Sequence, residues 1–407
     1  MLTSYRRVLA VPGAALFSAT GLVARLPISM VSLGIVLLIS TRTGSYQLAG
    51  GVAAAYLVGN AGFAVVQGRM ADRLGQSRVL PWTILVFAAS MGLMMWGVEA
   101  GWRTPLPHAF AVLGGAALPQ IGSCVRARWS HNVPDKRLLQ TAFALEAVAD
   151  EAVFMLGPIL VTVLATTVHP VAGLGTAVVA GLLGTLALAS QRATEPPAHR
   201  GHTGAGPREP MGWVVLGPLV VTGLAMGVVF GGIEVATVAF AEELGSKAGS
   251  GPLLAVMALG SLLAGLAYGV VHWRRSNPVR FRWGMVALAV ATVPLPFVEG
   301  FALMGLMLFV AGFAISPTLI ASVAWIEETV PARRLTEGIS ITTTGMYAGV
   351  APGAAAVGAV IDRHGASASY WVPVAAAAAG ALVALATIAM PSRGRTSARS
   401  ASAAESA

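Results

Sequence analysis

Twelve apolar runs, each roughly 20 residues or more and so long enough to cross the ~30 Å hydrocarbon core of a bilayer, follow one another almost without pause along the chain. They lie near 10–40, 46–68, 79–98, 105–127, 138–166, 170–190, 212–240, 251–272, 281–298, 301–325, 336–361 and 369–390. In hydrocarbon every backbone amide and carbonyl must be paired within the protein, which leaves helices as the spanning element for runs of this length. Composition agrees: 407 residues that are 56% hydrophobic and 11% charged hold too few polar groups to coat a soluble particle. The expected class is an all-α membrane protein with 12 transmembrane helices.

The opening "MLTSYRRVLAVPGAALFSATG" sets Arg6 and Arg7 before an apolar core, as a secretion signal does, but apolarity continues to Ile39. An uncleaved first helix is expected instead. The net charge of +9 does not point to nucleic acid, because the basic residues stand in short pieces between apolar runs rather than on one solvated face. The single cysteine, Cys124, precludes an intrachain disulfide. His199 and His202 have no third ligand nearby, and no nucleophile constellation or phosphate loop stands out, so neither a metal, a cofactor nor enzyme chemistry is expected.

Basic residues sort by side. With the N-terminus placed inside, that end, the even-numbered connections and the C-terminal tail carry 21 of the 26 Lys and Arg residues, among them Arg69, Arg73, Arg78, Arg126, Arg128, Lys136, Arg137, Arg274, Arg275, Arg280 and Arg282. Arg42, Arg103, Lys247 and Arg363 fall on the other side, and Arg25 lies inside the first run. Such a bias predicts a multi-pass protein of the inner (plasma) membrane with both termini in the cytoplasm.

A polar, Pro- and Gly-rich stretch from Ser190 to Gly212 divides the chain. The predicted organisation is an N-terminal six-helix half over 1–190, a cytoplasmic linker over 191–211, a C-terminal six-helix half over 212–390 and a disordered cytoplasmic tail over 391–407. The halves repeat. "VPDKRLLQ" at 133–140 and "VPARRLTE" at 330–337 share Val, Pro, Arg and Leu at an offset of 197, and each precedes a run holding a Gly-Pro or Pro-Gly pair. Two halves related by a parallel repeat predict a transport site between them near the midplane.

Between the second and third runs stands "GRMADRLGQSRVL", Gly68–Leu80. It resembles the signature loop of the major facilitator superfamily: Gly68, Asp72, Arg73 and Gly75 fall on the pattern and Arg78 adds a later basic residue, whereas Gln76 and Ser77 stand where that family has basic residues. The resemblance implies a twelve-helix transporter in which Asp72 latches the cytoplasmic faces of the halves, helped by Arg126 or Arg128. The corresponding C-half loop, "GVVHWRRSNPVRFR", keeps Gly269, Arg274 and Arg275 but no aspartate. "FMLGPILVT" keeps Gly157 and Pro158 of the helix-5 motif of drug–proton antiporters, with Val161 and Thr162 in place of its paired glycines. Those antiporters also carry an arginine inside the fourth helix, where this chain has none before Arg126.

Within the fifth run, "ALEAVADEAVFMLGPIL" places Glu146, Asp150 and Glu151 among apolar residues. Each ionised carboxylate at the membrane centre costs about 3 kcal/mol even on a lenient scale, so such groups mark function or are paired. Glu146 and Asp150 stack on one helical face, with Glu151 turned by ~100°. Arg25, at similar depth in the first run, is the expected counter-ion. These four are candidates for carrying a proton or meeting a substrate's charge, with a purely structural ion pair as the alternative. Tyr56, Asn60, Gln120, Glu234, Thr343 and Tyr347 are candidate cavity-lining residues.

The expected function is secondary active transport, as proton-coupled efflux of a small amphipathic or cationic compound by a monomer whose partners are its solute, protons and the lipid bilayer. An importer of a sugar or metabolite is the nearest alternative, and a non-transporting membrane sensor or scaffold the alternative of another class. The charge distribution yields a test of topology: reporter fusions placed after Ala198 and at the C-terminus should both report cytoplasm, and a signal from the opposite side at either would overturn the helix count.

Overall fold

Among helices that all expose apolar side chains to lipid, close approach is won where small residues let backbones touch, and many of the 48 glycines of this chain mark those places. The structure is a computed structural model that describes residues 2–43, 46–102, 105–198, 211–246, 249–271 and 273–387. The expected tail over 391–407, His199 and His202, and Arg103 and Lys247 lie outside the described residues.

A short helix α1 (Leu2–Leu9) precedes α2 (Ala14–Thr43), α3 (Tyr46–Leu74), α4 (Gln76–Glu99), α5 (Leu106–Ala117), α6 (Ile121–Asn132), α7 (Lys136–Thr167) and α8 (Pro170–Ser190). Then follow α9 (Trp213–Glu243), α10 (Ser250–Tyr268), α11 (Asn277–Thr292), α12 (Phe301–Thr329), α13 (Leu335–Ser369) and α14 (Trp371–Ala386). In the first group α2 packs on α7 and α8, and α5 on α3 and α4; in the second α9 packs on α13 and α14, and α12 on α10 and α11. Where the groups meet, α3 faces α13, and α7 faces α10 and α12.

The repeat is visible in how the helices cross. A methyl group on Gly59 of α3 would lie 2.1 Å from the Val112 carbonyl oxygen of α5, and one on Gly115 of α5 would lie 1.9 Å from that of Tyr56. In the second group Gly260 of α10 meets the Phe309 carbonyl at 2.3 Å and Gly312 of α12 meets that of Met257 at 2.1 Å. Each partner is displaced by 201 residues along α3 and α10 and by 197 along α5 and α12, so the same crossing is built twice. The α9–α13 pair uses four glycines, with Gly227 and Gly231 set against the carbonyls of Met346 and Val350, and Gly349 and Gly353 against those of Leu224 and Val228.

Two features depart from the expected count of twelve, the short α11 and the bend before α14, whereas the fourth run is broken but still counts as one span. By length and composition ten helices among the described residues can cross a membrane, or eleven if the bent pair Arg363–Ser369 and Trp371–Ala386 is one span. The run expected at 281–298 is α11, only 16 residues long and carrying Arg280 and Arg282, followed by a tight turn at Leu295–Phe297. The fourth run is broken between α5 and α6, where Leu118 turns extended and Pro119 has no amide hydrogen to continue the ladder. Near the end of α13 the backbone turns at Gly365 (φ +84°), and the Glu243 carboxylate accepts the freed Ala366 amide at 2.7 Å. Exposed Trp82 and Trp96 stand near opposite ends of α4, ~21 Å apart along its axis, as in the aromatic belts of membrane proteins.

The first residues of the segment expected as a linker over 191–211 are held against the first group of helices. Buried Arg128 of α6 donates to the Gln191 carbonyl (2.9 Å) and the Thr194 hydroxyl (2.9 Å), and the Asn132 amide donates to the Thr194 carbonyl (2.8 Å). The Glu195 carboxylate accepts the Ser77 amide at the start of α4 (2.9 Å), so residues 191–195 are fastened to the first group.

The crossing glycines give a direct test. Gly115→Ala should destabilise the purified protein by about 1–3 kcal/mol through overpacking, read as a lower melting temperature in detergent. Gly62→Ala, where a methyl meets nothing within 4 Å, should leave that temperature unchanged or slightly raised.

Candidate functional site

The acidic stretch of α7 is paid for by arginines from two other helices. Glu146 is fully buried and accepts from Arg25 Nη2 of α2, from Trp129 Nε1 of α6 at 2.7 Å and from the Ser18 hydroxyl at 2.9 Å. One turn further along, Asp150 accepts from Arg25 Nη1 at 3.0 Å and from Arg126 Nη2 of α6 at 2.5 Å. Two carboxylates and two guanidinium groups thus form a continuous, charge-balanced chain joining α2, α6 and α7. Phe17 packs edge-on against Trp129, with ring centroids 4.6 Å apart. One turn beyond Arg25, the Ser29 hydroxyl donates to the Val153 carbonyl at 2.9 Å, and Gly157 is the residue that leaves it room, since a methyl there would lie 2.0 Å from Ser29 Oγ.

Glu151 points elsewhere. Its Oε2 accepts from the Ser261 hydroxyl of α10 at 3.2 Å, and Ser261 Oγ lies 2.8 Å from Ser316 Oγ of α12. Both serines are buried. The contact runs between the two groups of helices, at a depth of ~22 Å along α7 from its first residue.

Nearer the termini a second polar layer joins the groups. Asp72, close to the end of α3, accepts the amides of Thr336 (3.3 Å) and Glu337 (2.9 Å), two of the unpaired donors of the first turn of α13. Gly68, one turn earlier, makes this approach available: a methyl would meet Ser340 Oγ at 2.8 Å and the Thr336 carbonyl at 3.0 Å. Arg69 donates to Glu337 at 2.7 Å, and Arg334 holds the same carboxylate at 2.9 Å. On the symmetric seam the Thr141 hydroxyl of α7 donates to the Gly269 carbonyl at 2.7 Å, and the Tyr5 hydroxyl of α1 donates to that of Leu266 at 2.9 Å. Burial pushes the Tyr5 phenol up to about 12, so it remains a donor throughout the physiological range. Ser340 and Ser123 meet between the two seams at 3.1 Å.

The chain, two groups of helices related by a parallel repeat and joined by a carboxylate on a helix N-terminus at the signature loop, is matched by the sequence profile of the Major Facilitator Superfamily over residues 17–308. The chain belongs to that superfamily. It is a multi-pass membrane transporter rather than an enzyme. A comparison with curated protein sequences returned no match. Among solved structures it is similar to a bacterial homologue of the iron transporter ferroportin in an outward-facing state, at 12% identity and a TM-score of 0.74 over 92% of this chain and 98% of the other. It is also similar to the human organic anion transporter MFSD10 (TETRAN), at 17% identity and 0.68 over 93% and 99%. The major facilitator transporter FucP in its outward conformation aligns at 14% identity and 0.66 over 93% and 99%. At these identities the likeness is one of fold.

Within the major facilitator frame the other predicted residues fall unevenly. Gly75 (φ +93°) turns the chain between α3 and α4, and a methyl there would strike Glu195 Oε1 at 2.8 Å; Arg73 and Arg78 are exposed. Arg126 and Arg128, expected beside Asp72, are committed elsewhere: Arg126 to Asp150, and Arg128 Nε to the Gln76 side-chain oxygen at 2.7 Å. Their part beside the Asp72 seam is taken by Arg69, Arg334 and Glu337. Gln120 lies in the α5–α6 break with its amide on the Leu118 carbonyl at 3.3 Å, and the Thr343 hydroxyl turns back onto the Ile339 carbonyl at 2.9 Å. Tyr56 is buried, Asn60 and Tyr347 are half-buried, and Glu234 is exposed on α9. Pro158 lies inside α7 without interrupting it. Nothing in the sequence marks Ser18 or Trp129 for these contacts; Glu337 stands in the repeated "VPARRLTE" segment, whose match to the start of α7 is its available signal.

The charge chain predicts unequal effects of single and double changes. Arg25→Gln strands Glu146 without its cation and should cost about 3–5 kcal/mol, read as poor yield and a lowered melting temperature. Adding Glu146→Gln should return most of that loss, because a neutral amide still accepts from Trp129 and Ser18. A double variant no better than the single one would show that Arg25 acts through packing alone.

Proposed function

We propose that this chain is a secondary active transporter of the inner membrane, with both termini in the cytoplasm, that exports a small amphipathic or cationic compound in exchange for protons by rocking residues 1–190 against residues 212–390. The observation that carries the reading is the seam where Asp72 receives the first amides of α13. It adds hydrogen bonds and an ion pair to the apolar packing that also runs between the halves. Bonds of this kind are worth about 1–3 kcal/mol each, so ligands that bind the two conformers with modestly different affinity can make and break the seam.

A cationic or protonic cargo is supported by the charges of α7. Three carboxylates stand there against Arg25 and Arg126, which leaves one negative charge over at mid-depth. The bilayer partner is supported by the long helices with apolar side chains exposed on the outside of both halves, and the transporter is proposed to work as a monomer.

The test begins with a ligand screen by thermal shift, in which a true solute raises the melting temperature with the logarithm of its concentration. The compound so found is then followed in proteoliposomes. Asp72→Asn should lower its flux at least about tenfold while leaving its thermal shift unchanged, since the seam acts on the conformational step and not on the solute. Flux equal to that of the unaltered protein would remove the seam from the mechanism. Accumulation against an imposed proton gradient in the sense of uptake would reverse the direction proposed.

A further inference from the structure

We infer that Glu151 is the proton-binding group of this transporter, and that Ser261 and Ser316 of the opposite half form its hydrogen-bonded receptor. The inference rests on the transport reading above and assigns the coupling step to one residue.

Glu146 and Asp150 have their charge matched by Arg25 and Arg126, and Glu146 has two donors besides, Ser18 and Trp129. Adding a proton to either would break an ion pair and strand an arginine, an expensive change for a group that must cycle. Glu151 is held by one hydroxyl, and that hydroxyl belongs to α10. Its electrostatic surroundings are sparse. Asp150 is its acidic neighbour on α7, and Arg25, Arg126 and Tyr347 face that residue from α2, α6 and α13. On α10 the ionisable side chain is Tyr268 at the far end of the helix, and on α12 they are Glu327 and Glu328 in its last turn. A carboxylate so placed is neutralised by a proton or by a cationic solute rather than by a resident side chain.

The hydroxyl pair gives the proton a conformational meaning. With Glu151 ionised, Ser316 donates to Ser261 and Ser261 donates to the carboxylate, a charge-assisted bond across the halves and the stronger kind. With Glu151 protonated, the carboxyl is itself a donor and the charge-assisted bond is gone. Close packing makes the contact sensitive to small movements: a methyl on Gly265 of α10 would lie 3.2 Å from Ser316 Cβ and 3.4 Å from Val148 of α7. The ionised site therefore locks this conformer, closed on the side of the termini, and a proton or a cationic solute unlocks it. One site that must be neutralised before the halves part makes the exchange obligatory.

The test reads conformation directly, with protons as the probe. In the full-length protein carrying Cys124→Ala, spin labels at exposed positions Lys136→Cys and Arg275→Cys straddle the seam between the halves, and their distance distribution is measured at about pH 8 and about pH 5. The unaltered site should shift toward longer distances on acidification. Glu151→Gln should give the long-distance distribution at both pH values, and Ser261→Ala, which keeps the carboxylate but removes its donor, should do so at about pH 8. A pH-dependent shift that survives in Glu151→Gln, or that is missing from the parent while Asp72→Asn still lengthens the distances, overturns the assignment to Glu151 and leaves transport by rocking intact. Distances unmoved by Asp72→Asn and by acid alike would overturn the rocking motion itself. If Glu151→Gln fails to fold, Ser261→Ala decides: distances identical to the parent's at both pH values overturn the proposal.

Discussion

Charge buried at the depth of hydrocarbon has to be matched by charge, and this requirement organises the first half of the molecule. Arg25, Glu146, Asp150 and Arg126 satisfy it as one chain across three helices. The elements around the chain follow from it: Gly157 admits Ser29 so that α2 can lie against α7, Trp129 turns its indole inward to the carboxylate, and Phe17 closes over Trp129. Once those four groups are matched, the fifth, Glu151, is left to look across the interface. The residue with least to do inside its own half is the one able to report on the other.

The halves meet through polar contacts arranged at two depths. At the termini, Asp72 and Arg69 engage the first turn of α13, where backbone amides supply a fixed positive end. At mid-depth, Glu151 engages a hydroxyl pair. The two layers differ in kind. The outer layer is backbone geometry and paired ions, while the inner layer hinges on one group that titrates or meets a solute.

Much of the fold was legible because hydropathy and glycine spacing act locally. The runs that became α2, α3, α4, α7, α9, α10 and α12 stood out by length and apolarity, and the repeat by a shared segment before the fifth and eleventh runs. α11 was legible only as a run, since its length and its two arginines are set by contacts with neighbours: Arg280 lies among Tyr268, Gln140 and Asn277, and Arg282 holds Thr387. The acidic cluster was legible in composition and its partner Arg25 in depth. Arg126 was not, because counting residues from a helix end measures the height of a Cα atom and omits the reach of a long guanidinium side chain. Asp72 was legible from its loop, but its companions were not: Gln76, standing where a basic residue was expected, accepts from Arg128, and this reversal of donor and acceptor draws Arg128 toward the linker.

The glycine crossings of α9 and α13 have no counterpart in charge, just as the charge chain of α2 and α7 has none in the second half. One half is cemented at mid-depth by groups that titrate, the other by carbonyls lying over glycines at 1.9 to 2.5 Å from where a methyl would stand. At mid-depth the first half therefore depends on matched charge as well as on its glycine crossings, while the α9–α13 pair rests on close backbone approach alone and keeps its carboxylate contacts, Glu243 and Glu337, for the ends of α13.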